Sequence, residues 1–311
     1  DEMNAGQFEQ AAGRFKALAM GGDKREWERA YGWFYEGVAW ERAGLYEQAA
    51  EAFGTLADTI PEHRLAPDAL YRLGINLAQA GDYDGAQKAA DRLETRYQEE
   101  RDRGAQQRAR AVETAIAANK GDMDEAIRLS RRVTLGNRDG DTYLHWGEFW
   151  ADLLMDQERY ADAANAYNRL LQNSDADPVA TAGLNLGYGI ALAKDGVRDQ
   201  ALTALMRLDA LPYGSPSQRL EARYWIGRLL WDLSQANADN ERERVARFAA
   251  DAVDRARRML QSVAQATLDH PRKSEAQALL AEIPDEEDAA AAAAGDDAVV
   301  EDGAAPAAAA E

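Results

Sequence analysis

A pattern that returns every 37 to 40 residues constrains this chain more than any other feature. Aligning Gly6, Gly44, Gly81, Gly121, Glu158 and Gly196 gives successive spacings of 38, 37, 40, 37 and 38 residues. Two residues beyond these stand Phe8, Tyr46, Tyr83, Met123, Tyr160 and, as the exception, Arg198. Five residues beyond them alanine recurs without exception, at Ala11, Ala49, Ala86, Ala126, Ala163 and Ala201. Seven residues before the last five turns the side chain is always small: Gly37, Gly74, Thr114, Ala151 and Gly189, with Gly227 as a sixth copy. Apolar residues at intervals of three and four form one stripe per helix, and the small residues let two such helices touch. One hairpin cannot bury its own apolar face, so consecutive hairpins must stack. The expected fold is therefore all-α, a right-handed superhelix of antiparallel helix pairs.

The unit Trp33, Gly37, Trp40, Gly44, Tyr46, Ala49, Phe53 and Pro61 resembles a nearly complete tetratricopeptide consensus. A second, Leu70, Leu73, Gly74, Leu77, Gly81, Tyr83, Ala86 and Leu93, is almost as similar, and the resemblance covers roughly residues 4 to 235. The chain departs from that family in two ways. Its period exceeds the usual 34, through loops such as Ile60–Pro67 and Gln172–Pro178. Its third copy, Arg110–Val133, lacks large residues at several expected positions. The segment 61–81, PEHRLAPDALYRLGINLAQAG, is similar to the inter-repeat segment of exported bacterial members such as the outer-membrane assembly lipoproteins and the Tol-Pal coordinator. This resemblance implies a protein-interaction scaffold, of the bacterial periplasm or cell envelope, with the cytoplasm as the alternative.

Charge bears on the partners. Against 36 basic side chains the chain carries 55 acidic ones, for a net of -19, which opposes binding to nucleic-acid phosphates or anionic lipid. No run of about 18 apolar residues is present to span a bilayer. With no cysteine there is no disulfide framework and no thiolate metal site or nucleophile. The three histidines, His63, His145 and His270, show no metal-ligand spacing. Asn137, Asp139, Asp141 and Glu148 are arranged like a calcium loop, but Gly140 is misplaced for its sharp turn. Gly183, Gly187 and Gly189 fall on an expected helix without a preceding strand, which suits helix packing and not a phosphate loop. We therefore expect no catalytic residues, no cofactor and no metal.

The expected domains are 1–284, about five and a half repeats with C-terminal capping helices, and 285–311, a disordered tail. The tail is alanine, glycine and acids, nine acidic residues with no base, and has almost nothing to bury. Asn4–Met20 reads as the second helix of a hairpin, and Glu241–Leu268 as a long capping helix. The half-repeat at the start also fits an interaction module of a longer multidomain protein.

Positions that line the inner groove in this resemblance are Phe34 and Tyr35, Tyr71 and Arg72, His145, Glu148 and Phe149, Tyr224 and Trp225, and Arg228. Aromatics mixed with arginine have the composition of protein-binding hot spots. The expected ligand is a peptide or partner protein. The lysine and asparagine with which chaperone adaptors of the family grip a terminal carboxylate are missing here.

Overall fold

The computed structural model describes residues 5–22, 24–98, 103–136, 141–173, 178–235 and 252–283. All secondary structure among them is helical, and the helices group into two compact units, 1–176 and 177–311. The boundary falls in the Gln172–Pro178 segment expected to be a loop.

In the first unit α1 (Ala5–Met20) is followed by four helix pairs: α2 (Glu26–Arg42) with α3 (Tyr46–Thr59), α4 (Ala66–Gln79) with α5 (Tyr83–Gln98), α6 (Arg103–Lys120) with α7 (Met123–Gly136), and α8 (Asp141–Asp156) with α9 (Tyr160–Asn173). Each helix packs on the next, and α4 also packs on α6, so the first helices of successive pairs meet. The second unit holds α10 (Pro178–Lys194) with α11 (Arg198–Ala210), then α12 (Pro216–Gln235), α13 (Ala252–Ala264) and α14 (Lys273–Glu282). There α10 again packs on α12. Of the expected helix 241–268, residues 252–264 are helical, and 241–251 lie outside the described residues, as do 137–140 and the expected tail 285–311.

The repeat alignment has a backbone cause. Gly44, Gly81, Gly121 and Gly196 adopt φ of 75°, 86°, 82° and 84°, and Glu158, aligned with them, adopts φ 56°. At each site the helix ends by a left-handed residue, which glycine enters without a Cβ penalty. The N–H of the following residue then donates to the carbonyl five residues back, from Leu45 to Trp40 at 3.0 Å and from Asp82 to Leu77 at 2.9 Å. Asp122 to Ala117, Arg159 to Leu154 and Val197 to Leu192 repeat that bond, each at 2.9 Å. This satisfies a carbonyl the helix end would otherwise leave without a partner. Gly6 lies within α1 and takes no part in such a turn.

Packing accounts for the other recurring positions. Ala49, Ala86, Ala126, Ala163 and Ala201 have no solvent exposure at all. In α1 the fully buried positions are instead Ala12 and Ala19, and Ala11 is half-buried, on a helix that packs against α2. A Cβ on Gly37 would come within 2.7 Å of the Phe53 ring, on Gly189 within 2.6 Å of Leu205, and on Gly227 within 2.7 Å of Leu260. Gly37 and Gly189 thus each bring a first helix against the second helix of its pair, and Gly227 brings α12 against α13. Gly74 does something different, since its Cβ would meet Val112 of the next first helix at 2.7 Å. Leu56, Leu93, Val133, Leu170 and Leu208, the positions twelve beyond each turn, are completely buried and close the core between pairs. Even Ser130, polar at a core position, is satisfied because its hydroxyl donates to the Ile127 carbonyl at 3.1 Å.

Candidate functional site: a cavity between the first helices

Four first helices of the first unit, α2, α4, α6 and α8, line an open-sided cavity of about 620 Å³. Its floor is Ala115 and Ala118 of α6 with Ile75 of α4. Its walls are aromatic: Tyr71 from α4, and Trp146 and Phe149 from α8, whose rings meet edge to face at 5.3 Å. His145 stands beside them, its ring 5.5 Å from that of Trp146. Glu41 and Arg72 form a charged side, and Gln79 and Asn119 a polar one.

The charged side is assembled within the protein. Arg72 donates through Nη1 to the Glu41 carboxylate, and Asn76 donates to the same carboxylate at 3.2 Å. The Arg72 guanidinium also lies 5.8 Å from the Phe34 ring centre and 5.9 Å from that of Phe53, within cation–π range. Three contacts therefore fix where the guanidinium sits, while the fork retains further donors. Burial raises the Tyr71 pKa, opposed by the Trp146 N–H and by the Arg72 charge, so Tyr71 is a protonated donor at neutral pH. The Trp146 N–H lies near that hydroxyl but is buried without an acceptor in satisfactory hydrogen-bond geometry. His145 keeps exposed surface, yet desolvation by its neighbours, and then the Arg72 charge, lower its pKa.

Of the ten residues expected to line a groove, the structure brings Tyr71, Arg72, His145 and Phe149 to this cavity. Phe34 supports it from behind through Arg72. Tyr35 points elsewhere: it is exposed and stacks on Tyr31 at 6.1 Å and against Phe15 at 5.5 Å. Glu148 is outside the lining. Burial, then the Asp152 charge, raise its pKa, and Asp152 itself accepts a hydrogen bond from Tyr167.

The second unit requires a correction. Tyr224 and Trp225 do not face an open groove, because they are 2% and 6% exposed. The α14 segment uses them as its landing surface. The Tyr224 hydroxyl donates to Glu275 at 2.7 Å, and Arg272 lies 5.1 Å over the Tyr224 ring while its Nε donates to Glu221 at 2.9 Å. Glu221 also accepts from the Trp225 indole at 2.9 Å. Arg228 is exposed, with its guanidinium 5.5 Å from the Trp225 ring centre.

The expected groove residues omit Glu41, Ile75, Gln79, Ala115, Ala118, Asn119 and Trp146. For Ala115, Ala118 and Asn119 a signal was present, the third copy's missing large residues; Glu41, Ile75, Gln79 and Trp146 lie in other copies and had no such signal.

The architecture, antiparallel pairs with a left-handed turn residue and an alanine contact every 37 to 40 residues, decides the fold. It is a tetratricopeptide-like α-solenoid. No protein-family profile matches the sequence, and no curated protein sequence matches it. Among solved structures, a tetratricopeptide repeat protein from Parabacteroides merdae is 18% identical, with a TM-score of 0.48, over 70% of this chain and 77% of that one. The TPR2AB-domain:pHSP90-complex of yeast Sti1 is 14% identical, with a TM-score of 0.31, over 82% of this chain and 98% of that one. Among the described residues of this tetratricopeptide-like chain no helix is long and apolar enough to cross a membrane, and no group of three histidine, aspartate or glutamate side chains converges as metal ligands.

Proposed function

We propose that this solenoid is a non-catalytic protein-interaction scaffold that holds a peptide or partner protein in the cavity between α2, α4, α6 and α8. One observation carries the reading. Aromatic walls from two helices, an alanine floor from a third and a pre-positioned arginine converge on one cavity. Rigid aromatic anchors beside a fixed guanidinium are the composition of interface hot spots. The same reading takes 1–284 as the repeat scaffold and 285–311 as an appended tail. The similarity of segment 61–81 to exported bacterial repeat proteins supports a place in a cell-envelope assembly.

The test is capture of a partner from native extract on the immobilised full chain, followed by titration of that purified partner. Tyr71→Ala and Phe149→Ala should each weaken binding by about 2 kcal/mol, a typical hot-spot loss. Ala115→Leu, which fills the floor, should weaken it as well. Circular dichroism controls for folding. A partner that binds all three variants like the parent would place the interaction elsewhere on the chain.

A further inference from the structure

We propose that α1 and α2 form a groove for an amphipathic helix of a partner protein, a helix that carries a large apolar residue four positions before a glycine or alanine. This groove is separate from the cavity described above and does not depend on it.

The first wall is α1, which bears both faces of a second helix and keeps one of them open. Its face toward α2 is closed as it is in α3. Ala12 and Ala19 have no exposure, and Ala50 and Ala57, 38 residues further on, are 4% and 1% exposed. Gly32 lets α2 approach so closely that a Cβ there would lie 2.7 Å from the Ala19 nitrogen. The other face is Ala11, Phe15 and Leu18, the same residue types that α3 carries at Ala49, Phe53 and Leu56. In α3 all three are completely buried, because α2 covers them with Gly37 over the Phe53 ring and Trp33 in the same cluster. In α1 all three remain half-buried.

The second wall is α2. In the inner repeats, the residues two and six before the small contact position face the preceding first helix. Val112 of α6 lies against Gly74 of α4, and Arg108 of α6 pairs with Asp68 of α4 at 2.8 Å. Likewise Arg72 of α4 pairs with Glu41 of α2. The same positions in α2 are Tyr35, which is 43% exposed, and Tyr31, whose ring stacks on it. Exposed Trp27 lies one turn earlier, its ring edge-on to Tyr31. Phe15 and Tyr35, with ring centres 5.5 Å apart, join the two walls.

These are the two surfaces on which a first helix rests, so the occupant they fit is a helix laid into an apolar groove. Its residue types follow from α2 on α3. Only a glycine or alanine clears Phe15 as Gly37 clears Phe53, and a large apolar residue four positions earlier takes the place of Trp33. Covering Phe15, Leu18 and Tyr35 removes carbon surface from water. A second copy has no such helix to give, since every first helix among the described residues already packs on the helix that follows it.

The probe is a synthetic 17-residue peptide of the α2 sequence, Glu26–Arg42, labelled with fluorescein and titrated with the full chain by fluorescence anisotropy. It should bind saturably, and the same peptide carrying Gly37→Leu should bind at least tenfold more weakly. In the chain, Phe15→Ala removes an anchor and Ala11→Leu blocks the contact. Each should weaken the parent peptide at least tenfold, with circular dichroism confirming the fold, while Tyr213→Ala, at an exposed residue of the second unit, should leave it unchanged. No saturable binding up to the solubility limit, equal binding of the Gly37→Leu peptide, or binding that neither α1 variant weakens would overturn the groove. A chain that sediments as a dimer, and as a monomer after Ala11→Leu, would assign the groove to a second copy and overturn the partner helix. The cavity is tested by other variants, Tyr71→Ala, Phe149→Ala and Ala115→Leu, so either reading can fail alone.

Discussion

Glu158 is the residue at which the repeat departs from its own rule, and replacing it should stabilise the protein. Four of the five left-handed turn positions are glycine, and Glu158 occupies the fifth at φ 56°. A side chain in that region costs roughly 1 to 2 kcal/mol through the clash of Cβ with backbone oxygen. Glycine relieves the clash but enlarges the freedom of the unfolded chain, which takes back about 0.5 to 1 kcal/mol. The difference leaves Glu158→Gly more stable by about 1 kcal/mol. An acid at a helix C-terminus is also unfavourable to the helix dipole, so charge must be separated from φ. Glu158→Ala does this, because it removes the carboxylate and keeps the Cβ. The reciprocal change is Gly81→Ala. A Cβ there would meet nothing within 4 Å, so its cost, again about 1 kcal/mol, is conformational alone.

Urea unfolding followed by far-UV circular dichroism measures these effects, with amide hydrogen exchange in α8 and α9 as a local readout. The local readout is needed because a solenoid's stability is distributed among neighbouring repeats and need not vanish in one step. Glu158→Gly should raise the protection of α8 and α9 above that of Glu158→Ala by about fivefold, the equivalent of about 1 kcal/mol. If Glu158→Gly is no more stable than Glu158→Ala, the left-handed turn is not strained and the account of the repeat's glycines is wrong.

Gly74→Ala should cost roughly 1 to 3 kcal/mol by overpacking, since its Cβ would lie 2.7 Å from Val112; an unchanged urea midpoint would show that α4 and α6 separate freely. Ala86→Leu, at a position with no exposure, should destabilise by a similar 1 to 3 kcal/mol on the same assay. Glu148→Gln should stabilise the chain at pH 7. Burial first, and Asp152 second, raise the folded-state pKa of Glu148, so the parent's favourable contribution is complete below the unfolded value of 4.5 and is lost as pH rises through the folded one. The gain should therefore disappear on acidification to pH 4, and equal gains at both pH values would refute the burial argument.

The fold was legible because its turns and contacts impose residue types. The left-handed region favours glycine at the turn, and only a small residue lets helices touch, so the glycine recurs at four of the five turns and the alanine of Ala49 in every copy. The site was legible in part. Tyr71, Arg72, His145 and Phe149 could be placed because helix period assigns them to one face. Tyr224 and Trp225 occupy equivalent positions in α12, yet what covers them is α14, through Arg272 and Glu275. Those residues lie about fifty positions downstream and follow no repeat register. Periodicity reports which face a side chain leaves its helix by, and it is silent about what arrives on that face from elsewhere.

The weakest copy of the repeat is also the one that makes room for a ligand, and the two facts share a cause. Three residues before the small contact position, successive first helices carry Phe34, Tyr71, Ala111 and Glu148, and one residue after it they carry Val38, Ile75, Ala115 and Asp152. At both positions α6 carries alanine. At Ala111 this lets Tyr71 of α4 and Trp146 of α8 join one cluster across α6, and at Ala115 it leaves the space that becomes the cavity floor. A side chain the size of Phe34 or Tyr71 at Ala111, or of Val38 or Ile75 at Ala115, would fill that space with the protein's own atoms, gaining packing and shrinking the cavity. The stacking of pairs does not need those side chains, since Ala126 and Val133 of α7 remain completely buried. Departure from the repeat in α6 therefore removes volume where a partner can supply it and keeps it where the solenoid requires it.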